Sequence, residues 1–275
     1  MLATSRLYSF LDHTNGFNVH FLEGQKLIHD LVLLHPMSGA GFAYFRDTFL
    51  GLLPIVVFLK PGESLGLYID SESPYFRLKI ETNSAGHTRT LLLPTEFNQF
   101  PMKISGKVRV TKIFNQKSPY TSVIELKEVE TKDVINQIFN ESYQTNSEVL
   151  VADISDQSIM VTKLPSLNVN SSLNETVSRK DYIKKHASFF HDIFETATDD
   201  IEKIVTMFEA QGLAYLGSRQ LSFYCPCSKD RMVLNLRGLY STDIDELFQD
   251  DDKLDIKCDY CRTNYEISKA DVLGS

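Results

Sequence analysis

Four cysteines carry the clearest chemistry in this 275-residue chain. They read Cys225-Pro226-Cys227, then thirty residues, then Cys258-Asp259-Tyr260-Cys261, so all four lie in the final 51 residues. Four thiolates satisfy a tetrahedral zinc ion, with Zn–S bonds of about 2.3 Å. A C-x-x-C turn lets two sulfurs reach one metal from a tight loop, and the second pair ties a distant segment to the same ion. A site closed by four sulfurs has no position left for water, so the spacing predicts a non-hydrolytic zinc. Zinc-bound thiolates stay nucleophilic and oxidisable, and a disulfide removes two ligands at once. Zinc supplies about 10–16 kcal/mol of folding energy in finger-like peptides, so its loss should melt the tail. A disulfide within Cys-Pro-Cys closes a small, strained ring, and strained disulfides are easily reduced again. From the residues alone, two roles stand side by side: an inert structural clip and a redox switch.

Other candidates read more weakly. Ser38-Gly39-Ala40-Gly41 has a Gly-x-Gly but lacks the third glycine and the preceding strand of a nucleotide loop, so close helix packing is the better reading. His29 and His35 are six apart and His186 and His191 five apart, neither of which is the H-E-x-x-H zinc pattern. Asp250-Asp251-Asp252 lacks the alternation and glycine of a calcium loop and reads as a solvated acidic turn. Cys225 has no local histidine to make it a catalytic nucleophile. A C-x-x-C oxidoreductase would need a βαβ pattern around Cys258, and the sequence has none there. No catalytic residue is therefore expected, and the chain is read as a non-enzyme.

The elements that must position the cysteines follow from composition and pattern. Hydrophobic residues make up 43% of the chain, with 18 Phe and 12 Tyr, enough for a sizeable core. Clustering of the cysteines at one end excludes a disulfide scaffold, which would spread them through the fold. A net charge of -8, from 36 acidic against 28 basic residues, argues against partners that are nucleic acid or anionic membrane. Met1 to Gly16 alternates polar and apolar residues without the apolar core of a signal peptide. The longest greasy run, Phe49 to Leu59, is far short of the roughly 20 residues that span a bilayer and contains Pro54. The expectation is a soluble, cytoplasmic protein, in which the Asn-x-Ser/Thr matches at Asn140, Asn170 and Asn174 mean little.

The pattern predicts an α+β fold in three parts: a large N-terminal domain over 1–172, of antiparallel sheets with packed helices, a helical linker over 173–222, and a small C-terminal zinc-binding domain over 223–275. In the first part, helical spacing covers Leu27 to Leu34, and Gly41 to Val57 reads as a buried helix kinked at Pro54. Strands are expected over Ser64–Ile69, Phe76–Glu81, Thr88–Leu93, Gly106–Ile113, Thr121–Leu126, Glu148–Ile154 and Ser158–Leu164. A helix over Thr131 to Glu141, capped by Thr131, would present Val134, Ile135, Ile138 and Phe139. Ser166 to Ser178, rich in Asn and Ser, reads as a linker. Beyond it, Ile183, Ala187, Phe190, Phe194, Ala197, Ile201, Ile204 and Phe208 are spaced alternately four and three apart. That is one apolar stripe on a helix, or on two helices broken near Thr196 to Thr198. Leu221 to Tyr224 is strand-like.

The tail resembles the 33-kDa heat-shock-protein family of redox-regulated bacterial chaperones. The residues carrying the likeness are Cys225-Pro226-Cys227-Ser228, the acidic helix start at Asp243 to Glu246, Cys258-Asp259-Tyr260-Cys261 and Tyr265. Upstream, Leu33-Leu34-His35-Pro36, Phe58-Leu59-Lys60, Gly106-Lys107-Val108, Pro119-Tyr120, Ser142-Tyr143-Gln144 and Met160 to Pro165 are also similar. Ser73-Pro74 and Ser122 depart from the pattern, where Gly-Pro and Gly are expected. The resemblance implies that Cys225, Cys227, Cys258 and Cys261 hold Zn2+ in a reduced, largely inactive form. Oxidation then yields Cys225–Cys227 and Cys258–Cys261 disulfides, releases zinc and unfolds tail and linker. It further implies an activated homodimer that holds unfolded or partially folded client proteins without ATP. The alternative to that switch is a non-switching binding module, contacting ribosomes or RNA, with a purely structural four-cysteine clip; the acidic charge weighs against it.

Overall fold

A computed structural model describes residues 2–37, 39–73, 75–94, 102–130, 133–165, 177–240, 247–248 and 251–273. The chain divides into two compact units, Met1–Phe223 and Tyr224–Ser275. The architecture is mixed α+β with antiparallel sheets and several helices.

Among the described residues, the first unit contains two sheets. The alternation in the first residues, noted only for excluding a signal peptide, is a strand: β1 (Arg6–Asp12) turns at Gly16 into β2 (Phe17–Glu23). Gly16 has a φ of 68°, a conformation that glycine adopts without steric cost. β3 (Ser64–Ser73), β4 (Tyr75–Asn83), β5 (His87–Leu93), β6 (Lys103–Phe114) and β7 (Lys117–Glu130) contain five of the expected strands, while β8 (Ser147–Val151) and β9 (Gln157–Lys163) end short of the expected Ile154 and Leu164. β10 (Ala214–Gln220) and β11 (Ser222–Phe223) follow. The five-stranded sheet runs β10-β1-β2-β9-β8 and the six-stranded sheet β11-β5-β4-β3-β6-β7. Neighbours are antiparallel except β11, which pairs parallel to β5 through two residues.

The core lies between the sheets. α1 (Gln25–Leu34) is followed by α2 (Gly39–Leu52), which tightens into a 3-10 turn over Leu53–Phe58 with Pro54 at its start. Proline fits there because the first turn needs no N–H from it. α2 brings Phe45, Phe49 and Leu50 against Leu67, Ile69, Phe76 and Leu78 of the six-stranded sheet and Met160 of β9. Gly51 lets α2 meet α3 (Val134–Gln137) closely, since a Cβ there would overlap Ile135. α3 continues as a π turn over Ile138–Ser142, and Val134, Ile135, Ile138 and Phe139 are all buried. Thr131, the expected cap, lies outside the described residues. Ser122 ties β7 to this turn by a 2.6 Å bond to the Ser142 hydroxyl. By length and composition Gly39–Phe58 is long and apolar enough to cross a membrane, longer than the run the sequence singled out, but 72% of its most apolar window is buried inside the fold. It serves as a core helix.

The five-stranded sheet is buried on its other face too, which explains why its central strands β2 and β9 are buried almost throughout. Tyr8, Phe10, Phe17, Val19, Phe21, Ile159 and Val161 form that face. It is covered by α4 (Arg179–Lys185), α5 (Ala187–Thr196) and α6 (Ile201–Glu209). Phe208 stacks on Phe10 at 4.2 Å between centroids, and Tyr182 on Phe17 at 4.0 Å. Ser178 and Asp200 cap α4 and α6 by accepting N–H bonds from Asp181 and Lys203.

The predicted stripe is only partly the buried face. Phe190, Ile204 and Phe208 are buried, Ile183 and Phe194 half-buried, and Ala187, Ala197 and Ile201 exposed. The chain leaves helical geometry at His186 and again at Ala197, whose φ is 46°. Each break resets the angular phase, so a spacing of four and three cannot stay in register. Tyr182, Phe189 and Ile193 complete the face instead. Of the segment 173–222, the part described is helical to Glu209 and then becomes β10, paired to β1; the Asn- and Ser-rich stretch over 166–176 lies outside the described residues.

Two outcomes follow. Phe208→Ala should cost about 3–5 kcal/mol in urea unfolding, since it empties the centre of this face. His20 on β2 is buried, its Nδ1 lies 3.0 Å from the Ser9 hydroxyl, and burial pushes its pKa down to about 4. The unfolded chain takes up that proton below about pH 6.5 and the folded one does not. Stability should therefore fall as pH drops from about 6.5 to about 4, by up to about 1.4 kcal/mol per pH unit from this group. Urea midpoints across that range, with an NMR titration of His20, check it.

Candidate metal centre

The second unit is built around a hairpin. β12 (Lys253–Lys257) and β13 (Asn264–Ser268) pair antiparallel, and the loop joining them carries Cys258 and Cys261. The loop is closed by two backbone bonds, Cys258 N to Thr263 O at 2.9 Å and Arg262 N to Cys258 O at 2.8 Å. Arg262 takes a φ of 61° to make the reversal. The backbone N–H groups of Tyr260 and Cys261 hydrogen-bond the Cys258 sulfur, so the loop forms a knuckle around it. The other pair lies directly before α7 (Lys229–Leu239), where Ser228 caps the helix by accepting from Arg231 N at 3.3 Å. Pro226 holds Cys225 extended, and the N-terminus of α7 favours negative charge on the nearby sulfurs.

The two segments bring all four sulfurs within 4.8 Å of one another. Cys225 and Cys258 approach to 3.8 Å, and Cys227 and Cys261 to 3.2 Å. Sulfurs around a tetrahedral ion at about 2.3 Å lie about 3.8 Å apart, so the donor set and its spacing fit a metal ion. Cys258 is buried and the other three are half-buried. The chain has four cysteines and all four are in this cluster, as the spacing predicted.

Two hydroxyls touch the cluster. The Tyr265 oxygen is 3.0 Å from the Cys227 sulfur, and Thr263 Oγ1 is 3.2 Å from the Cys261 sulfur. Tyr265 is the second residue of β13, opposite Ile256 of β12, and this register sets it on the sulfur side. Without a cation the sulfurs share protons unequally. Burial pushes the Cys227 thiol up to about 12 and also raises Cys258. Burial opposes ionisation at Cys261 as well, but bonds from the Thr263 hydroxyl and backbone outweigh it and bring Cys261 down to about 6. A bound cation favours the thiolate form of all four.

Among the described residues, the rest of what holds this unit together is modest. Among the described residues its buried apolar core is Leu236, Phe248, Ile267 and Val272, with the Tyr265 ring packed against it. Arg237 on α7 donates to the carbonyls of Val272 and Asp271 on α8 (Lys269–Leu273), at 2.6 and 2.8 Å. Lys229 pairs with Asp271 at 2.8 Å and, with Ser268, holds its carboxyl well below the usual range. A core this small needs a staple to fold.

The weaker sequence candidates do not gather into sites. His35 and His186 are buried while His29 and His191 are exposed. Gly39 to Gly41 opens α2, a core helix. Ser38, Asp243 to Glu246 and Asp250 lie outside the described residues.

Comparison with known proteins agrees with this picture. The family model for Hsp33 protein matches residues 5–268. The 33 kDa chaperonin of Levilactobacillus brevis is 20% identical over 271 residues, covering 93% of this chain and 92% of that protein. That of Aquifex aeolicus is 20% identical, covering 92% and 83%. The crystal structure of the 33 kDa chaperonin (heat shock protein 33 homolog) from Thermotoga maritima superposes with a TM-score of 0.72 at 16% identity, over 98% of this chain and 97% of that one.

Cobalt(II) added to the reduced chain should give the sulfur-to-metal charge-transfer band and intense visible bands of a tetrahedral thiolate site, at one ion per chain. Binding should weaken as pH falls, because each bound sulfur must lose its proton. Cys258→Ser should cost more than about tenfold in affinity, read by competition with a chromogenic chelator.

Proposed function

The chain belongs to the Hsp33 family, and on that premise we propose that it is a redox-regulated, ATP-independent holdase chaperone of the cytoplasm. The family is one of chaperones, which are not an enzyme class. The observation that carries the proposal is four sulfurs within 4.8 Å of one another in a unit whose own core is small. Cys225, Cys227, Cys258 and Cys261 would hold one Zn2+. When bound, the ion supplies folding energy and keeps the thiols ionised.

Switching would begin at sulfur. A thiolate attacks one oxygen of hydrogen peroxide, the O–O bond breaks, and a sulfenic acid and hydroxide result. A second thiolate attacks that sulfur, forms the S–S bond and displaces a second hydroxide. Two electrons pass from the thiolate pair to each peroxide. The proposed disulfides are Cys225–Cys227 and Cys258–Cys261, and once formed they leave no thiolate to hold the ion. The second unit would then unfold.

The client surface follows from the first unit. If α4 to α6 undock, the sheet face bearing Tyr8, Phe10, Phe17, Phe21 and Ile159 is uncovered. An apolar face of that kind binds unfolding chains without ATP, and such a patch also favours a homodimer of the activated form. The burial of Cys258 favours a second reading, a clip that never opens, because a buried thiolate is slow to meet oxidant.

The reduced, zinc-loaded chain is treated with peroxide at elevated temperature. Zinc release, suppression of aggregation of a chemically unfolded client, and disulfide mapping by mass spectrometry are followed together. The proposal expects one zinc released per chain, both within-pair disulfides and a gain in holdase activity without ATP. Retained zinc with unchanged aggregation would establish the clip.

A further inference from the structure

We propose that the Tyr265 hydroxyl is a positioning residue for the switch, restraining the Cys227 sulfur against electrophiles while the site is intact. The inference rests on the reading above that these thiolates bind zinc and are oxidised. Tyr265 stands on β13 opposite Ile256 of β12, with its ring against Leu236, Phe248, Ile267 and Val272. That packing needs only the ring, and phenylalanine would satisfy it. The hydroxyl is directed at Cys227, with its oxygen 3.0 Å from the sulfur. An ionised sulfur has no proton to give, so Tyr265 is the donor.

An electron pair of Cys227 engaged by this O–H is withdrawn from attack on an incoming electrophile. Across the cluster a second hydroxyl touches sulfur: Thr263 Oγ1 lies 3.2 Å from the Cys261 sulfur, accepting from its thiol. The sulfurs that approach across the two knuckles, Cys227 and Cys261, thus each carry a hydroxyl from the 263–265 stretch. Tyr265 also joins the cluster to the small core, since a single side chain packs in one and hydrogen-bonds the other. Oxidation of Cys227 converts its anionic acceptor into a weak neutral one, which releases the hydroxyl end of that side chain.

The test compares zinc-loaded full-length chains, wild type and Tyr265→Phe. Three rates are measured: alkylation of Cys227 by iodoacetamide, in which sulfur displaces iodide; zinc release by peroxide; and zinc transfer to a chelator without oxidant. Tyr265→Phe should speed alkylation at Cys227 and peroxide-driven release by about three- to tenfold, as expected from loss of one hydrogen bond of ordinary strength. Transfer to the chelator should stay within about twofold. Unchanged alkylation overturns the proposal. So does chelator transfer that speeds up equally, or a variant that fails to load one zinc, because either makes Tyr265 purely structural. If the wild-type chain keeps its zinc in peroxide, the switch reading fails, and the alkylation rates still decide the role of Tyr265.

Discussion

Four sulfur atoms drawn to within 4.8 Å of one another are the constraint on which the second unit depends. Neutral thiols gain little from such crowding, and thiolates repel. Burial makes the matter worse at Cys227 and Cys258, where it disfavours ionisation. A cation resolves the conflict, converting mutual repulsion into shared attraction. Among the described residues, the hairpin, α7 and α8 share only a small core and polar ties that are largely exposed. With a cation bound, stability and sulfur chemistry would be the same property in this part of the chain.

The first unit is organised differently. Its five-stranded sheet is buried on both faces, one against α2 and the six-stranded sheet, the other under α4 to α6. The inner face is locked by a contiguous core. The outer face is covered by three short helices, broken at His186 and Ala197, that pack on it through aromatic stacking and aliphatic contacts. Short helices gain little from their own hydrogen bonds and depend on the face they cover. The surface beneath this layer is rich in Phe and Tyr.

Much of this was legible in the sequence, for physical reasons. The cysteine spacing was decisive because metal geometry tolerates few arrangements. Several of the seven expected strands were visible through alternation, and the core helix through its continuous apolar run. β2 was missed because a strand buried on both faces loses clean alternation. β10, β12 and β13 were missed because short, half-exposed strands carry little apolar signal. The stripe from Ile183 to Phe208 was misread in part because a repeat of four and three presumes an unbroken helix. The hydroxyl of Tyr265 could not be placed on Cys227 until the pairing of β12 with β13 fixed which way its ring points.

The central claim is that the sulfur cluster and the fold of the second unit stand or fall together. Hydrogen exchange with mass spectrometry, on the zinc-loaded chain before and after peroxide treatment at elevated temperature, tests it most directly. The account predicts that amides of α7, β12, β13 and α8 lose protection in step with zinc release, while β2, β3 and β9 keep theirs. Zinc released with full protection retained over those four elements would contradict it.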